Sequence, residues 1–280
     1  MVTLNTDRIK DAVKEAFFRI CLRMDDDVEQ KLSELADKSE GLEKFAFGIM
    51  TKNAEIARTK GFPLCQDTGM AVVFLDIGQD VVLTGEYVED AVNKGVREAY
   101  VNLRKSVLSP LERLNTEDNT PAVIHTRIVE GDSVTVSCMA KGFGSENMSR
   151  VFMLTPADGT DGIVRCVTQC MKDARSCPCP PVILGVGIGG TMEKAALMSK
   201  HALFRTLGSL NNDAKLAELE AHILKSVNAL GIGAQGLGGP TTALAVFAES
   251  YPTHIAGLPV AVTVQCHASR HSVTVIKGEK

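Results

Sequence analysis

The chain has 280 residues, 45% hydrophobic and 23% charged, which is enough to build one large core or two smaller ones. A formal net charge of −4 provides no overall basic surface, so nucleic acid is not expected as a partner. No apolar run reaches the roughly 18–20 residues needed to cross a bilayer, and the amino terminus alternates charged and apolar residues instead of forming a signal-peptide core. No membrane partner is expected, and the location expected is cytoplasmic.

From Asn5 to Gly61 the spacing is helical: Ile9, Val13, Phe17 and Ile20 form a stripe that Leu32, Leu35, Leu42, Phe45 and Ile49 continue. Residues 1–61 are therefore predicted to form a helical amino-terminal layer. Met70 to Val88 predicts a hairpin about Gln79-Asp80, because β-branched runs flank a short polar turn. Glu89 to Leu108 returns to helix, with Val92, Val96, Ala99, Leu103 and Val107 on one face. After a polar connection, AVIHTRIVEG and SVTVSCMA predict a second hairpin about Gly131-Asp132.

The segment KGFGSENMS (141–149) is glycine-rich and polar, which suits a loop whose backbone approaches a ligand. A helix is predicted over Asp161–Arg175, a break at CPCPP, a buried strand at VILGVGI, and helices over Met192–Leu207 and Ala214–Leu230. The apolar runs ALAVF, IAGLPVAVTVQC and SVTVI read as strands. Hairpins and helices are grouped instead of alternating singly, so the expected class is α+β: a helical amino-terminal layer packed on mixed or antiparallel sheets, in a single interwoven domain over residues 1–280.

GVGIGG at Gly185–Gly190 matches the dinucleotide fingerprint, follows an apolar strand, and has Asp213 at about the right distance downstream. It lies late in the chain, however, without the alternating units that such a motif opens. A second match, GIGAQG at Gly231–Gly236, follows a helix. Both are better read as tight backbone bends beside a buried polar centre.

Eight cysteines without an export signal are expected to be reduced thiols. Cys21, Cys138, Cys166 and Cys170 sit in element-like contexts and read as small core residues. Cys65, Cys177, Cys179 and Cys266 sit at loop ends beside apolar strands, where a rigid scaffold presents ligands. Zinc is a rival, with Cys266, His267 and His271 as donors, although no C-x-x-C knuckle is present. Spacing alone leaves zinc, a cluster and buried thiols open.

The segments CQDTG (65–69), NTPAVIH (119–125), KGFGSENMS (141–149), CPPVILGVGIGGT (179–191), GIGAQGLGG (231–239) and QCHASRH (265–271) resemble those of class I iron-sulfur fumarate hydratases and the related L-tartrate dehydratases. The resemblance is to their α subunit, or to the amino-terminal domain of the single-chain forms, and covers most of the chain from about Gly61. It implies a [4Fe-4S] cluster held by three cysteines, Cys65, Cys179 and Cys266, with Cys177 an extra neighbour. Three protein ligands leave one iron open as a Lewis acid for reversible hydration of fumarate to L-malate, and they make the cluster oxygen-sensitive.

The resemblance also assigns roles to residues around the cluster. Gln66 and Asp67 are expected to contact the substrate or its water, Asp67 as a catalytic residue, whereas composition alone reads Asp67 as a turn residue. Arg104, near the apolar face of its predicted helix, resembles a carboxylate-binding arginine, and Arg97 is its competitor. Gly142 and Gly144 would offer backbone amides, with Phe143 standing where many relatives continue a glycine run. His254 resembles an acid-base or hydrogen-bonding histidine, and His125 and Glu146 are secondary candidates.

In the family, the proton-abstracting residue belongs to a carboxy-terminal domain or β subunit. The chain is therefore expected to need a separate β subunit for activity on its small dicarboxylic acid, and to assemble as a dimer of heterodimers. An L-tartrate dehydratase α subunit is the alternative. A noncatalytic zinc- or cluster-binding interaction subunit is the alternative of another class.

Overall fold

The computed structural model describes residues 1–279, and in it the chain packs as two compact units, each assembled from separated segments. The first comprises Met1–Asp25, Ala54–Phe143 and the segment from Arg270; the second comprises Asp26–Asn53 and Gly144–Ser269. Both combine helices with mixed sheets, and the α+β class expected from the sequence holds.

In chain order the elements are β1 (Val2–Asn5), α1 (Thr6–Leu22), α2 (Asp26–Lys38), α3 (Gly41–Lys60), β2 (Met70–Gly78), β3 (Val81–Thr84) and α4 (Val88–Ala99). Then follow β4 (Val123–Val129), β5 (Ser133–Lys141), α5 (Phe143–Glu146), β6 (Arg150–Leu154) and α6 (Gly159–Ala174). The last are β7 (Val182–Gly189), α7 (Met192–His201), α8 (Ala214–Asn228), β8 (Ala243–Tyr251), β9 (Leu258–Gln265) and β10 (His271–Lys277).

The first unit is built on a four-stranded sheet of order β10-β5-β2-β4, in which β2 runs parallel to β4 and antiparallel to β5. The predicted stripe of α1 is correct: Ile9, Val13, Phe17 and Ile20 are all buried and join Val92 and Val96 of α4 and Val73 and Leu75 of β2 in one core. Burying each such side chain contributes about 1.5–3 kcal/mol. The side chain of Asn5 starts α1 by accepting the Asp7 amide, which satisfies one of the donors that a helix leaves open at its start.

Both predicted hairpins are corrected. Gln79-Asp80 has neither the glycine nor the left-handed backbone that a two-residue hairpin turn needs. β3 instead pairs in parallel with β1, Val2 opposite Val81, in a separate two-stranded ribbon. β2 is buried along nearly its whole length, as a central strand must be, and it lies between β4 and β5, so the second predicted hairpin is split by it.

The predicted helix to Leu108 ends at Ala99. Leu103 and Val107 are buried outside any helix, because tertiary hydrogen bonds at Arg104 and Ser106 draw the chain out of it. In α3 the apolar face differs from the predicted one. Ala46, Phe47, Met50, Ala54 and Ala57 are buried, while Leu42, Phe45 and Ile49 are exposed.

The second unit has a sheet of order β6-β9-β7-β8, with β7 parallel to β8 and antiparallel to β9. One face carries the core of Val182, Leu184, Val186, Val262 and Val264 against Val167 and Met171 of α6 and Ile223 and Val227 of α8. The other face meets α7, where the Ser199 hydroxyl lies 2.7 Å from that of Thr263. Gly185 and Gly187 of GVGIGG belong to this face. A Cβ at Gly185 would lie 1.9 Å from the Ser199 carbonyl oxygen, and one at Gly187 would lie 2.0 Å from that of Ala195. These glycines let the helix backbone rest on the strand. Asp213, the candidate ribose ligand of a nucleotide reading, instead accepts the Lys215 and Leu216 amides as the cap of α8.

Gly187→Ala must therefore push α7 off the sheet. It is expected to destabilise the chain by about 1–3 kcal/mol, as overpacked cores do. Urea unfolding checks this, and an unchanged midpoint would show that the helix is not held at this distance.

Candidate active site

In the first unit, the turn Cys65–Gly69 leads into β2 and is held by hydrogen bonds from every side. The Asp67 carboxylate accepts the Gly69 amide through Oδ1 at 2.9 Å and the Phe143 amide through Oδ2 at 2.7 Å. The Thr68 hydroxyl donates to the Arg104 carbonyl at 2.6 Å and lies 3.0 Å from the Ser106 hydroxyl. The Tyr100 hydroxyl donates to the Thr68 carbonyl at 2.9 Å, and the Asn119 side chain donates to the Gly69 carbonyl at 3.1 Å while accepting the Ser106 amide. Asn119 belongs to the NTPAVIH segment, and it is fully buried with φ of 63°.

Asp67 is thus the turn residue that composition alone suggested, and it also ties the turn to the corner at Gly142. Cys65 is half-buried, and the Gln66 side-chain oxygen approaches its thiol at 3.6 Å. Gln66 itself is exposed. Two residues not singled out from the sequence complete this region. Lys141 and Arg270 are only 1% and 3% exposed, and Lys141 Nζ donates to the Gly142 carbonyl at 3.2 Å. Their burial has no sequence signal, because lysine and arginine are by default surface residues.

In the second unit, Cys179 and Cys266 come to one end of the sheet. Ile183 of β7 pairs with Gln265 of β9, so the loop entering β7 lies beside the exit of β9. His267 Nδ1 lies 3.0 Å from the Cys179 carbonyl and links the two loops. The GIGAQG segment forms the wall of the cysteine loop. Gln235 donates to the Pro180 carbonyl from its backbone at 2.8 Å and from its side chain at 2.9 Å. Cys179, Gln235 and Ser269 all have left-handed backbone, with φ of 56°, 54° and 40°. Non-glycine residues in this conformation each cost about 1–3 kcal/mol, and they gather where function demands a fixed shape.

None of the eight cysteines forms a disulfide, and burial divides them as the sequence suggested. Burial pushes the Cys21, Cys138, Cys166 and Cys170 thiols up, Cys170 to about 12, so these four remain protonated. Cys65 and Cys266 are half-buried, and Cys177 and Cys179 are exposed. The solvent-accessible set is therefore the set that can supply thiolates to a metal centre. Beside Cys266, the Gln265 side-chain oxygen is buried without a hydrogen-bond partner among the described residues, the kind of polar atom that a bound group satisfies. This donor set fits a thiolate-held cluster. Of the donors in the zinc alternative, His267 is turned to the Cys179 carbonyl and His271 lies 3.4 Å from Asp25.

The remaining expected residues are dispersed. Arg104 lies beyond α4, not on a helix as predicted; its side chain is exposed, and its carbonyl is what serves the Thr68 turn. Arg97 pairs with Asp118 at 2.8 Å. Burial would raise the Asp118 carboxyl, but Thr120 and Arg97 outweigh it and pull the group down to about 2. Gly142 is buried beside Asp67, and Gly144 is exposed. Phe143 is not in the left-handed region, so its side chain strains nothing, and its amide is taken by Asp67.

Part of the predicted loop is helix α5. In it Glu146 pairs with Lys200. His125 stacks on Phe74 with ring centroids 4.8 Å apart. His254 is exposed in the turn between β8 and β9 and accepts the Ala256 amide at 3.2 Å. The whole of β9, eight residues and roughly 25 Å long at about 3.3 Å per residue, separates it from Cys266, so this unit does not bring the two together.

The family model described as fumarate hydratase (Fumerase) matches residues 10–275. The putative L(+)-tartrate dehydratase subunit alpha of Methanocaldococcus jannaschii is 38% identical over 281 residues, covering 96% of this chain and 98% of the relative. The L(+)-tartrate dehydratase alpha subunits of Escherichia coli K12 and O157:H7 are 32% and 31% identical over 280 residues, each covering 98% of this chain and 92% of the relative. The resemblance carried by the ordered motifs from CQDTG to QCHASRH is borne out, and the chain belongs to the fumarate hydratase (Fumerase) family of hydro-lyases.

Proposed function

We propose that this chain is the α subunit of an iron-sulfur hydro-lyase that adds water to, or removes it from, a four-carbon dicarboxylic acid. One observation carries the reading: two accessible cysteines, Cys179 and Cys266, are brought to one sheet end and locked by His267 and Gln235, while the four thiols unsuited to ligation are buried. Cys65 is the third ligand, presented from its clamped turn. When bound, the [4Fe-4S] cluster supplies one iron without a protein ligand, a Lewis acid for a substrate hydroxyl and carboxylate.

The chain's own residues orient the substrate. Gln66, exposed next to Cys65, offers a side-chain amide to the acid, and the corner at Gly142–Gly144 offers backbone. Asp67 keeps the Cys65 turn in register with that corner through the Phe143 amide. The exposed Arg104 guanidinium can meet a carboxylate bidentately. His254 is retained as a weaker candidate for hydrogen bonding or proton transfer. A separate β subunit supplies the residue that moves the C3 proton, and the pairs assemble as a dimer of heterodimers. The location is cytoplasmic, where such thiols stay reduced.

Fumarate and L-malate form the first substrate pair, in keeping with the family model. The second reading is L(+)-tartrate, supported by the names of relatives that match nearly the full chain; loss of water from it gives the enol of oxaloacetate. Shape separates the two, since a site built to hydrogen-bond the extra hydroxyl rejects an acid that lacks it.

Cys65→Ser, Cys179→Ser and Cys266→Ser are each expected to lose both cluster and activity, whereas Cys177→Ser keeps most of both. Iron and sulfide per chain, measured anaerobically on the complex with its β subunit, check the assignment, and equal loss at Cys177 would displace Cys179 as the ligand. The α chain alone is expected to be inactive. For the substrate, kcat/KM on L-malate is expected to exceed that on L(+)-tartrate, and a tenfold preference for tartrate would establish the second reading instead.

A further inference from the structure

We propose that Arg270 is a positioning residue for the Asp67 carboxylate and the Gly142 corner, and through them for the turn that carries Cys65. The proposal rests on the hydro-lyase reading of that turn. Arg270 is 3% exposed, and a guanidinium is seldom buried unless its charge is used locally. Its backbone is fixed first, because the Ala140 amide donates to the Arg270 carbonyl at 3.0 Å and holds the residue beside the end of β5.

The side chain then reaches the corner. A Cβ built on Gly142 would lie 3.2 Å from Arg270 Nη2 and 3.2 Å from Asp67 Oδ2, so the guanidinium and the carboxylate both border the space beside this glycine. A side chain there would make one or both charged groups give by a few tenths of an ångström. Asp67 already spends both oxygens on the Gly69 and Phe143 amides, so its direction is set by the backbone, and the Arg270 guanidinium borders the same corner. Lys141, buried on the other side of the corner, holds the Gly142 carbonyl at 3.2 Å. The Cys21 thiol, which burial pushes up, feels the same guanidinium in the opposite direction.

A surface arginine could not do this, and a lysine could do it only in part, because the planar fork can serve a carboxylate and a second acceptor at once. Arg270 also follows Cys266 by four residues in the chain. The segment that carries one cysteine ligand therefore ends in the side chain that sets the residue two places after another.

The test uses the complex of full-length α chain with its β subunit, reconstituted anaerobically, in four forms: Arg270→Gln, Arg270→Lys, Asp67→Asn, and Arg270→Gln combined with Asp67→Asn. Arg270→Gln is expected to keep wild-type iron and sulfide and a KM within about threefold of wild type, while kcat falls roughly 10- to 100-fold, as misplacement of a reacting arrangement does. Arg270→Lys is expected to recover part of the kcat lost in Arg270→Gln, and the double variant to be no slower than Asp67→Asn alone. A wild-type kcat in Arg270→Gln, failure of lysine to rescue, or additive losses in the double variant would each overturn the proposal.

If Arg270→Gln does not fold, Gly142→Ala, which presses a methyl between the same two groups, must show the same selective loss of kcat, and a wild-type kcat there overturns it. If the wild-type complex turns over none of the acids, the functional reading fails on its own. The proposal is then decided by unfolding of the full α chain, where Arg270 and Asp67 must show non-additive losses of stability, and additive ones overturn it.

Discussion

The turn Cys65–Gly69 leaves the Cys65 thiol half-buried while its inward polar atoms and the Asp67 carboxylate are satisfied within the chain, and much of the first unit follows from that requirement. A buried carbonyl or amide without a partner costs about 1–3 kcal/mol, so each inward polar atom of the turn needs a partner brought to it. Tyr100, Asn119, the Arg104 carbonyl and the Phe143 amide are those partners, and they come from four places in the chain. Meeting them ends α4 at Ala99, draws the segment after it across the turn, and fixes where β5 gives way to the Gly142 corner. Here the satisfaction of hydrogen bonds, more than helix propensity, decides where elements stop.

The second unit solves a comparable problem with glycine. Strand β7 must carry a helix on one face and apolar side chains on the other, and it must also deliver its first residues beside the exit of β9. Glycines at alternate positions let α7 approach on backbone alone, which leaves the apolar residues Val182, Leu184 and Val186 to the opposite face. The same spacing that produces this packing also produces a nucleotide-like fingerprint. In a dinucleotide fold the glycines line the turn after the strand; here Gly185, Gly187 and Gly189 lie within it. The motif's letters are alike, but the physical demand on them is backbone proximity to a helix instead of to a phosphate.

How much of this was legible in the sequence depends on the range of the interaction. The stripe of α1, the buried run of β7 and the partition of the eight cysteines all follow from local pattern, and they hold. Strand pairing does not follow from local pattern. The partner of β3 is β1, some eighty residues earlier, and β2 separates two strands that adjoin in sequence. The site divides in the same way. Cys65, Cys179 and Cys266 are proposed through ordered motifs, but Lys141 and Arg270 were passed over within those motifs, because nothing local distinguishes a buried cation from a solvated one. The helix assigned to Arg104 fails for the converse reason: its apolar spacing is real, yet Leu103 and Val107 reach the core without helical backbone.

Burial is what makes the cysteine arrangement chemically selective. A thiol surrounded by apolar atoms resists ionisation, since the thiolate loses its hydration and gains no compensating charge. Four of the eight cysteines are placed in this way, and they contribute packing. The other four stand at loop ends, half-buried or exposed. Among these, Cys177 and Cys179 are two residues apart, and accessibility alone does not separate them. Backbone geometry does: Cys179 is held in left-handed conformation, with its carbonyl engaged by His267 and the next carbonyl by Gln235. Cys177 belongs to the turn that closes α6, its amide bonded to the Ala174 carbonyl. A ligand to a rigid metal centre must be aimed before the metal arrives, because ordering a loose loop would cost conformational entropy at the moment of binding. The strained, doubly anchored Cys179 meets that condition, and the physical case for it as the ligand rests on this anchoring more than on exposure.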